Sequence, residues 1–385
     1  MAAVKVEAHM KVEQTLAELV RLDSVSSRSN LGVISHLAAR AEAAGMCARM
    51  FPYTDALGVK KFNLVCVPPS IDADRMEVEL ALVGHTDTVP YDPGWTEALV
   101  LTGREGKFYG RGACDTKGFI AAALTAFEQF DLASLRRPLA LVFTADEEVG
   151  CLGAKRLAES QALRARYAIV GEPTSLQPMR AGKGYCLAEV RVGGREGHSA
   201  YPALGASAIF RAARLIARIE RVAEELQAGR HDAFEPPYTT LNVGVINGGT
   251  AKNIIAGECR FTLEWRPIPG QAATRVPELI QNEIESLRAA DADFDCRVEI
   301  LRLDEAAETR ADSRLVRELE TLSGQTAGTI AFGTEAPQLT EMGAEAVVFG
   351  PGSIRNAHRT GEFVPADELE TCVEILARAI EKFCQ

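Results

Sequence analysis

The chain contains no run of about 18 apolar residues, so nothing in it reads as a membrane span. Its beginning, MAAVKVEAHMKVEQ, mixes charges and has no apolar core segment, so a secretory signal is not expected and a cytoplasmic setting is. A basic excess is also lacking. Lys and Arg number 42 against 53 Asp and Glu, and the formal net charge of −11 argues against a nucleic-acid surface, which needs basic stripes. The nine cysteines include no CxxC pair and are odd in number and scattered, so they read as reduced thiols. Repeats and low-complexity segments are missing. The glycines at 110, 112, 350 and 352 build neither GxGxxG nor GxxxxGK[ST], which argues against a nucleotide-binding protein.

What remains is a globular composition, 47% apolar and 25% charged, in 385 residues, too many for one small core. Apolar spacing predicts helices over Val12–Leu22 and Leu31–Ala44, and strands at Asn63–Val67, Val78–Val83, Leu139–Thr144 and Tyr167–Val170. Between them, "GFIAAALTAFEQF" reads as a helix packed through its alanines. This alternation predicts an α/β domain with a mostly parallel sheet flanked by helices. Near Arg180 the texture changes. "CLAEVRVGG" alternates like a half-exposed strand, and a long helix over Ala206–Ala228 follows. Strands at Thr240–Ile246 and Glu258–Glu264 and a helix over Val276–Ala289 complete an α+β unit. From about residue 297 the first texture returns, with strand Val298–Leu303, helix Ser313–Leu322, strand Ala346–Phe349 and helix Asp367–Phe383. The expected organisation is therefore one domain over 1–179 and 293–385, interrupted by an inserted domain over 180–292.

Chemistry-bearing residues gather at the predicted strand ends. "GHTDTVP" carries His85 and Asp87, which share a face because side chains two apart on a strand do. "YGRGACDTKG" places Asp115 before the alanine-rich helix, and "FTADEEVG" places Asp146, Glu147 and Glu148 after a strand. "AIVGEPTS" adds Glu172, and "FGPGSIRNAHRTGE" delivers His358 from a glycine-rich loop. In open α/β sheets ligands bind outside the carboxyl ends of the strands. A crevice with two histidines and at least four carboxylates would repel itself, and divalent cations relieve that. Imidazole and carboxylate together suit zinc, cobalt or manganese.

This ordered set of motifs, spanning essentially the whole chain, resembles the co-catalytic metallo-aminoacylase and peptidase family that includes succinyl-diaminopimelate desuccinylase and carboxypeptidase G2. The resemblance implies two divalent metal ions per subunit, zinc foremost, with cobalt or manganese as alternatives. It implies that Asp115 bridges them, that His85 and Glu172 complete one ion's ligands, and that Glu148 and His358 complete the other's. Asp87 would orient the His85 ring, and Glu147 would be the general base. A cis peptide after Asp115 is implied as well. From "GREGHSAYPALGASAI", His198 would cross a homodimer interface made by the inserted domain and stabilise an oxyanion. Asn253 of "GGTAKNIIAGE" and Arg266 of "EWRPIPG" would hold substrate, the arginine on a carboxylate.

Together with "GEPTSLQPMRAGKG", "GTEAP" and "GPGSIRNAH", the resemblance implies an amidohydrolase that deacetylates N2-acetyl-L-ornithine in arginine biosynthesis. Glu335 would receive the substrate's cationic amine. Acetylcitrulline, a succinylated diamino acid or a broad set of acetyl amino acids are the alternative substrates. A non-catalytic binding protein on the same scaffold should have lost the base or a ligand, and this chain keeps all of them. Plainer readings also stand. Asp87 could be a strand-end hydrogen-bonding group, His198 a loop histidine, Arg266 a surface ion pair and Asn253 a turn former. Cys114 beside Asp115 is read as an inert buried thiol, Lys117 as a structural donor, and Thr116 as a change in packing under the site.

Overall fold

In the computed structural model, which describes residues 11–72 and 76–385, the apolar segment Met76–His85 forms the centre of a sheet. Leu139–Thr144 and Leu163–Val170 lie parallel to it on either side, and Glu345–Val348 lies parallel beyond the latter. Lys60–Val67 pairs antiparallel with Leu139–Thr144, and Cys47–Thr54 pairs antiparallel with Lys60–Val67. The register is even. His85 stands opposite Thr144, and Val170 opposite both Val83 and Val348. The four parallel strands therefore end along one rim, which is the physical reason their following loops meet.

Helix Lys117–Phe127 is buried along its whole length and packs on strand Met76–His85 and on helices Val12–Arg21 and Ala366–Cys384. Small residues allow that approach. A Cβ at Gly171 would lie 2.1 Å from Phe119 Cδ1, and one at Gly84 would lie 2.8 Å from Ile120 Cγ1. Phe119, Ile120, Phe143, Ile169, Phe349 and Phe383 belong to the resulting core.

The chain divides into two units, the first comprising residues up to Arg180, Thr309–Gly328 and Thr334–Gln385, the second Ala181–Glu308 and Thr329–Gly333. The second unit holds a four-stranded antiparallel sheet in the order Thr240–Gly248, Glu258–Arg266, Cys186–Gly193, Cys296–Leu303. Helices Ala208–Leu226 and Arg275–Ala290 bury Leu215, Ile219, Ile280 and Ile284 against Val190, Phe261, Leu263 and Trp265 of that sheet.

One strand differs from the sequence reading. Val298–Leu303 was expected to open the returning α/β segment. It instead lies within Cys296–Leu303, whose Val298 stands opposite Val190 in the four-stranded sheet. The second unit accordingly extends to Glu308, past the expected boundary at 292. Strand alternation specifies which face is buried but not which partner the strand finds. Among the described residues, no helix is long and apolar enough to cross a membrane.

Candidate metal centre

Asp115 is the hub of the first unit's rim. Its Oδ1 lies 3.0 Å from His85 Nε2 and its Oδ2 lies 3.1 Å from His358 Nε2, so one carboxylate stands between two imidazoles. His358 Nε2 also lies 3.0 Å from Glu148 Oε2. Two groups, His85–Asp115–Glu172 and Asp115–Glu148–His358, each offer three ligand atoms within 4.8 Å of one another, with Asp115 common to both. Nitrogen and hard oxygen donors so arranged fit two divalent ions of the zinc, cobalt or manganese type sharing one carboxylate.

Each candidate ligand has a local reason for its place. His85 ends a fully paired strand, and Glu172 follows Gly171 at the end of another. Thr116 Oγ1 donates to the His85 carbonyl at 3.1 Å, tying the start of the alanine-rich helix to the ligand strand. The peptide bond after Asp115 is cis. His358 is delivered in the left-handed region, at φ +56°.

Burial and close contacts between opposite charges pull these carboxylates and imidazoles away from their ordinary ranges. Burial opposes charge on His85, yet Asp115 and Asp87 hold its ring well above the ordinary imidazole range. Contacts with Asp115 and Glu148 push His358 up to about 10. Burial works against ionised Asp115, but His358 and His85 hold its carboxyl well below the usual range. Burial, with Asp115 and Glu147 nearby, raises Glu172 well above it. Like charges thus crowd a partly buried space.

Asp87 does more than the sequence suggested. The nearest partner of His85 Nδ1 is the carbonyl oxygen of Asp87 at 3.0 Å, with the carboxylate Oδ1 at 3.6 Å. The carboxylate accepts the backbone N–H groups of Glu147 at 3.1 Å and Glu148 at 3.3 Å, and the Ser26 hydroxyl at 2.8 Å. It therefore joins the His85 strand end to the Glu147–Glu148 turn. Glu147 itself is half-buried. Burial and the neighbouring Glu148 and Asp115 charges raise its carboxyl to about 8, although His85 pulls the other way.

Sequence reasoning placed Asp146 in that turn but missed the side chains that hold it. Asp146 sits at φ +57° and is buried. Lys61 Nζ donates to Asp146 Oδ1 at 2.8 Å, and Tyr53 donates to Oδ2 at 2.8 Å. Lys61 also donates to the carbonyls of Ser26 and, at 2.9 Å, Arg28. Nothing in "KKFN" distinguishes a buried lysine from a solvated one, because its partner is 85 residues away. A cavity of about 360 Å³, lined by Ser26, Leu57, Val89, Val149 and Leu152, adjoins Asp146 and Glu148.

Glu335 is buried. Its Oε2 accepts from Thr144 Oγ1 at 2.8 Å, while Oε1 has no partner among the described residues, and burial raises its carboxyl to about 7. Cys114 is buried too. Its thiol donates to the Ser353 carbonyl at 3.5 Å, burial holds it well above the usual thiol range, and it belongs to neither candidate ligand group. Lys117 donates to the Leu22 carbonyl at 2.8 Å, a structural contact.

The remaining three residues lie in the second unit. His198 and Asn253 come together there. Ser199 N–H donates to the Asn253 carbonyl at 3.1 Å, and His198 forms a bridge with Ile254. Both side chains are exposed. Arg266 is half-buried and engaged: Nε donates to Glu264 at 2.6 Å, Nη1 donates to the Ala331 carbonyl at 3.0 Å, and the guanidinium lies 4.1 Å from the Tyr185 ring centroid. The plain ion pair is thus realised in this arrangement.

The description "Peptidase family M20/M25/M40" matches residues 81–382. The chain is 54% identical over 371 residues to acetylornithine deacetylase of Myxococcus xanthus, covering 96% of this chain and 97% of that one. Its fold is similar to that of a tripeptidase from Staphylococcus aureus subsp. aureus Mu50, with TM-score 0.77, 22% identity and 97% of each chain covered. It is also similar to a dinuclear metal-binding peptidase of the M20 family from Bacillus subtilis, with TM-score 0.68, 13% identity, and 97% of this chain and 99% of that one covered. The chain belongs to peptidase family M20/M25/M40.

Proposed function

We propose that this chain is a dinuclear metal-dependent amidohydrolase that removes the acetyl group from N2-acetyl-L-ornithine, giving ornithine and acetate, in arginine biosynthesis. The observation that carries the reaction class is one buried carboxylate, Asp115, held between two imidazoles with a second carboxylate beside each. The substrate rests on the likeness to the Myxococcus xanthus deacetylase. His85, Asp115 and Glu172 would hold one ion, and Asp115, Glu148 and His358 the other. Zinc is the first candidate and cobalt or manganese fits the same donors. When bound, such ions polarise a carbonyl and make a water easier to deprotonate.

The chain's own residues then do the proton work. Glu147, beside the ligand candidate Glu148, takes a proton from the attacking water and hands it to the leaving amine nitrogen. Asp87 holds the Glu147–Glu148 turn in register with His85. We assign His198 to the oxyanion, and Asn253 and Arg266 to holding the substrate, on motif matches. A homodimer through the second unit is supported by exposed Phe210, Val245 and Ile246 on its helix and edge strand. A cytoplasmic setting accords with nine scattered cysteines read as reduced thiols.

Glu335 would receive the ornithine amine at its unpartnered Oε1. The test is turnover of metal-loaded protein on acetylornithine, acetylcitrulline, acetylmethionine and succinyl-diaminopimelate. Acetylornithine should be the best substrate; preference for the succinylated compound would overturn the assignment. Glu335→Gln should raise KM for acetylornithine far more than for acetylmethionine, and equal effects on both would remove its specificity role.

A further inference from the structure

Glu362 is a fully buried carboxylate for which the chemistry above has no use. Four donors converge on it. Oε2 accepts from Arg111 Nη1 at 2.6 Å and from Gly112 N–H at 3.1 Å, while Oε1 accepts from Cys114 N–H at 2.9 Å and Asp115 N–H at 3.0 Å. Its own carbonyl accepts from Gly110 N–H at 3.1 Å. Beyond it, Phe363–Pro365 pairs antiparallel with Lys107–Tyr109, Phe363 opposite Tyr109. The turn Gly110–Asp115 is thus wrapped around one side chain from a segment some 250 residues away.

Only a carboxylate suits that position. Three backbone N–H groups and a guanidinium all donate, so each oxygen must accept twice. An amide would turn its NH2 toward donors on one side or the other. Arg111 is anchored in turn, donating to the Pro90 carbonyl at 3.2 Å and lying 5.4 Å from the Trp95 ring centroid. Two of the four donors are the N–H of Asp115 itself and of its neighbour Cys114, and Glu362 is four residues after His358 in the chain. The same short segment therefore supplies one imidazole and fixes the backbone of the carboxylate facing it.

We propose that Glu362 is a positioning residue that fastens the Asp115 turn to the His358 loop and sets the spacing at which those two ligands grip an ion. This rests on the metal-centre reading above. Groups that orient ligands typically alter metal affinity ten- to hundredfold when replaced, whereas a residue that merely holds the fold leaves the affinity of the folded protein alone.

The experiment titrates metal-stripped wild type, Glu362→Gln and Glu362→Asp with zinc against a chromophoric chelator, with circular dichroism as the check on folding. Wild type should take up two ions per chain. Folded Glu362→Gln should bind zinc about ten- to hundredfold more weakly in at least one position, with turnover restored by excess zinc. Glu362→Asp keeps the charge but is one methylene shorter, and should fall between the two. Wild-type affinity in folded Glu362→Gln overturns the proposal, and so does failure of both variants to fold, which would make the role purely structural. Absence of zinc uptake by wild type removes the metal-centre reading itself, a result distinct from either.

Discussion

Glu147 and Glu148 are adjacent, yet only Glu148 reaches the His358 imidazole. The left-handed Asp146 before them, gripped by Lys61 and Tyr53, turns the chain so that consecutive carboxylates face different targets. Glu147→Ala should bind metal as wild type does while kcat falls about 10²–10⁴-fold, the usual contribution of a general acid–base group; unaltered turnover would remove Glu147 from the mechanism. Lys61→Met should lower unfolding free energy by about 3–5 kcal/mol, because it strands a buried carboxylate. Denaturant melts should show part of that loss recovered in Lys61→Met/Asp146→Asn, and no recovery would mean the pair is not the cause. At this scale the candidate ligands that the structure brings together were readable because histidine and acidic residues interrupt apolar runs at strand ends. Lys61 and Glu362 were not, since each acquires meaning only from a partner far along the chain.

Among the elements, the alanine-rich helix and its central strands were legible from apolar runs. The strand Cys47–Thr54 was not. Its side chains are nowhere fully buried, and Pro52 sits inside it, as an outermost strand tolerates. Helix Leu152–Ser160 was also unread, as was the pairing of Cys296–Leu303. The contact between helix Lys117–Phe127 and the sheet is tight enough to test. Gly171→Ala forces a Cβ into the Phe119 ring, 2.1 Å from Cδ1. It should cost about 1–3 kcal/mol in thermal or denaturant unfolding, the usual range for overpacking. It should also weaken metal binding, because Glu172 is the next residue. Wild-type stability and affinity would show that the helix yields easily.

At the scale of the molecule, the crowded carboxylates set the pH response of the metal-free protein. Glu147 rises from 4.5 to about 8 on folding and Glu335 from 4.5 to about 7. A raised carboxyl contributes stability that is fully present below its unfolded value and is lost as pH climbs through the folded one. His358, raised from 6.5 to about 10, adds a loss of the same sign above neutrality. Asp115, lowered from 3.8, is ionised throughout that window and adds no slope there. The melting temperature of chelator-treated protein should therefore fall between pH 5 and 8, and zinc should restore most of it at the alkaline end. A flat or rising profile without metal would contradict the electrostatics described here.

The common direction of the four parallel strands has a practical corollary. Every loop that bears a candidate ligand leaves the sheet on one side, and the short turns directly before those strands lie at the other. The exposed turn at Ser160–Gln161, immediately before Leu163–Val170, is a permissive point for a spliced-in reporter or relocated termini, where added chain would hang away from the catalytic machinery.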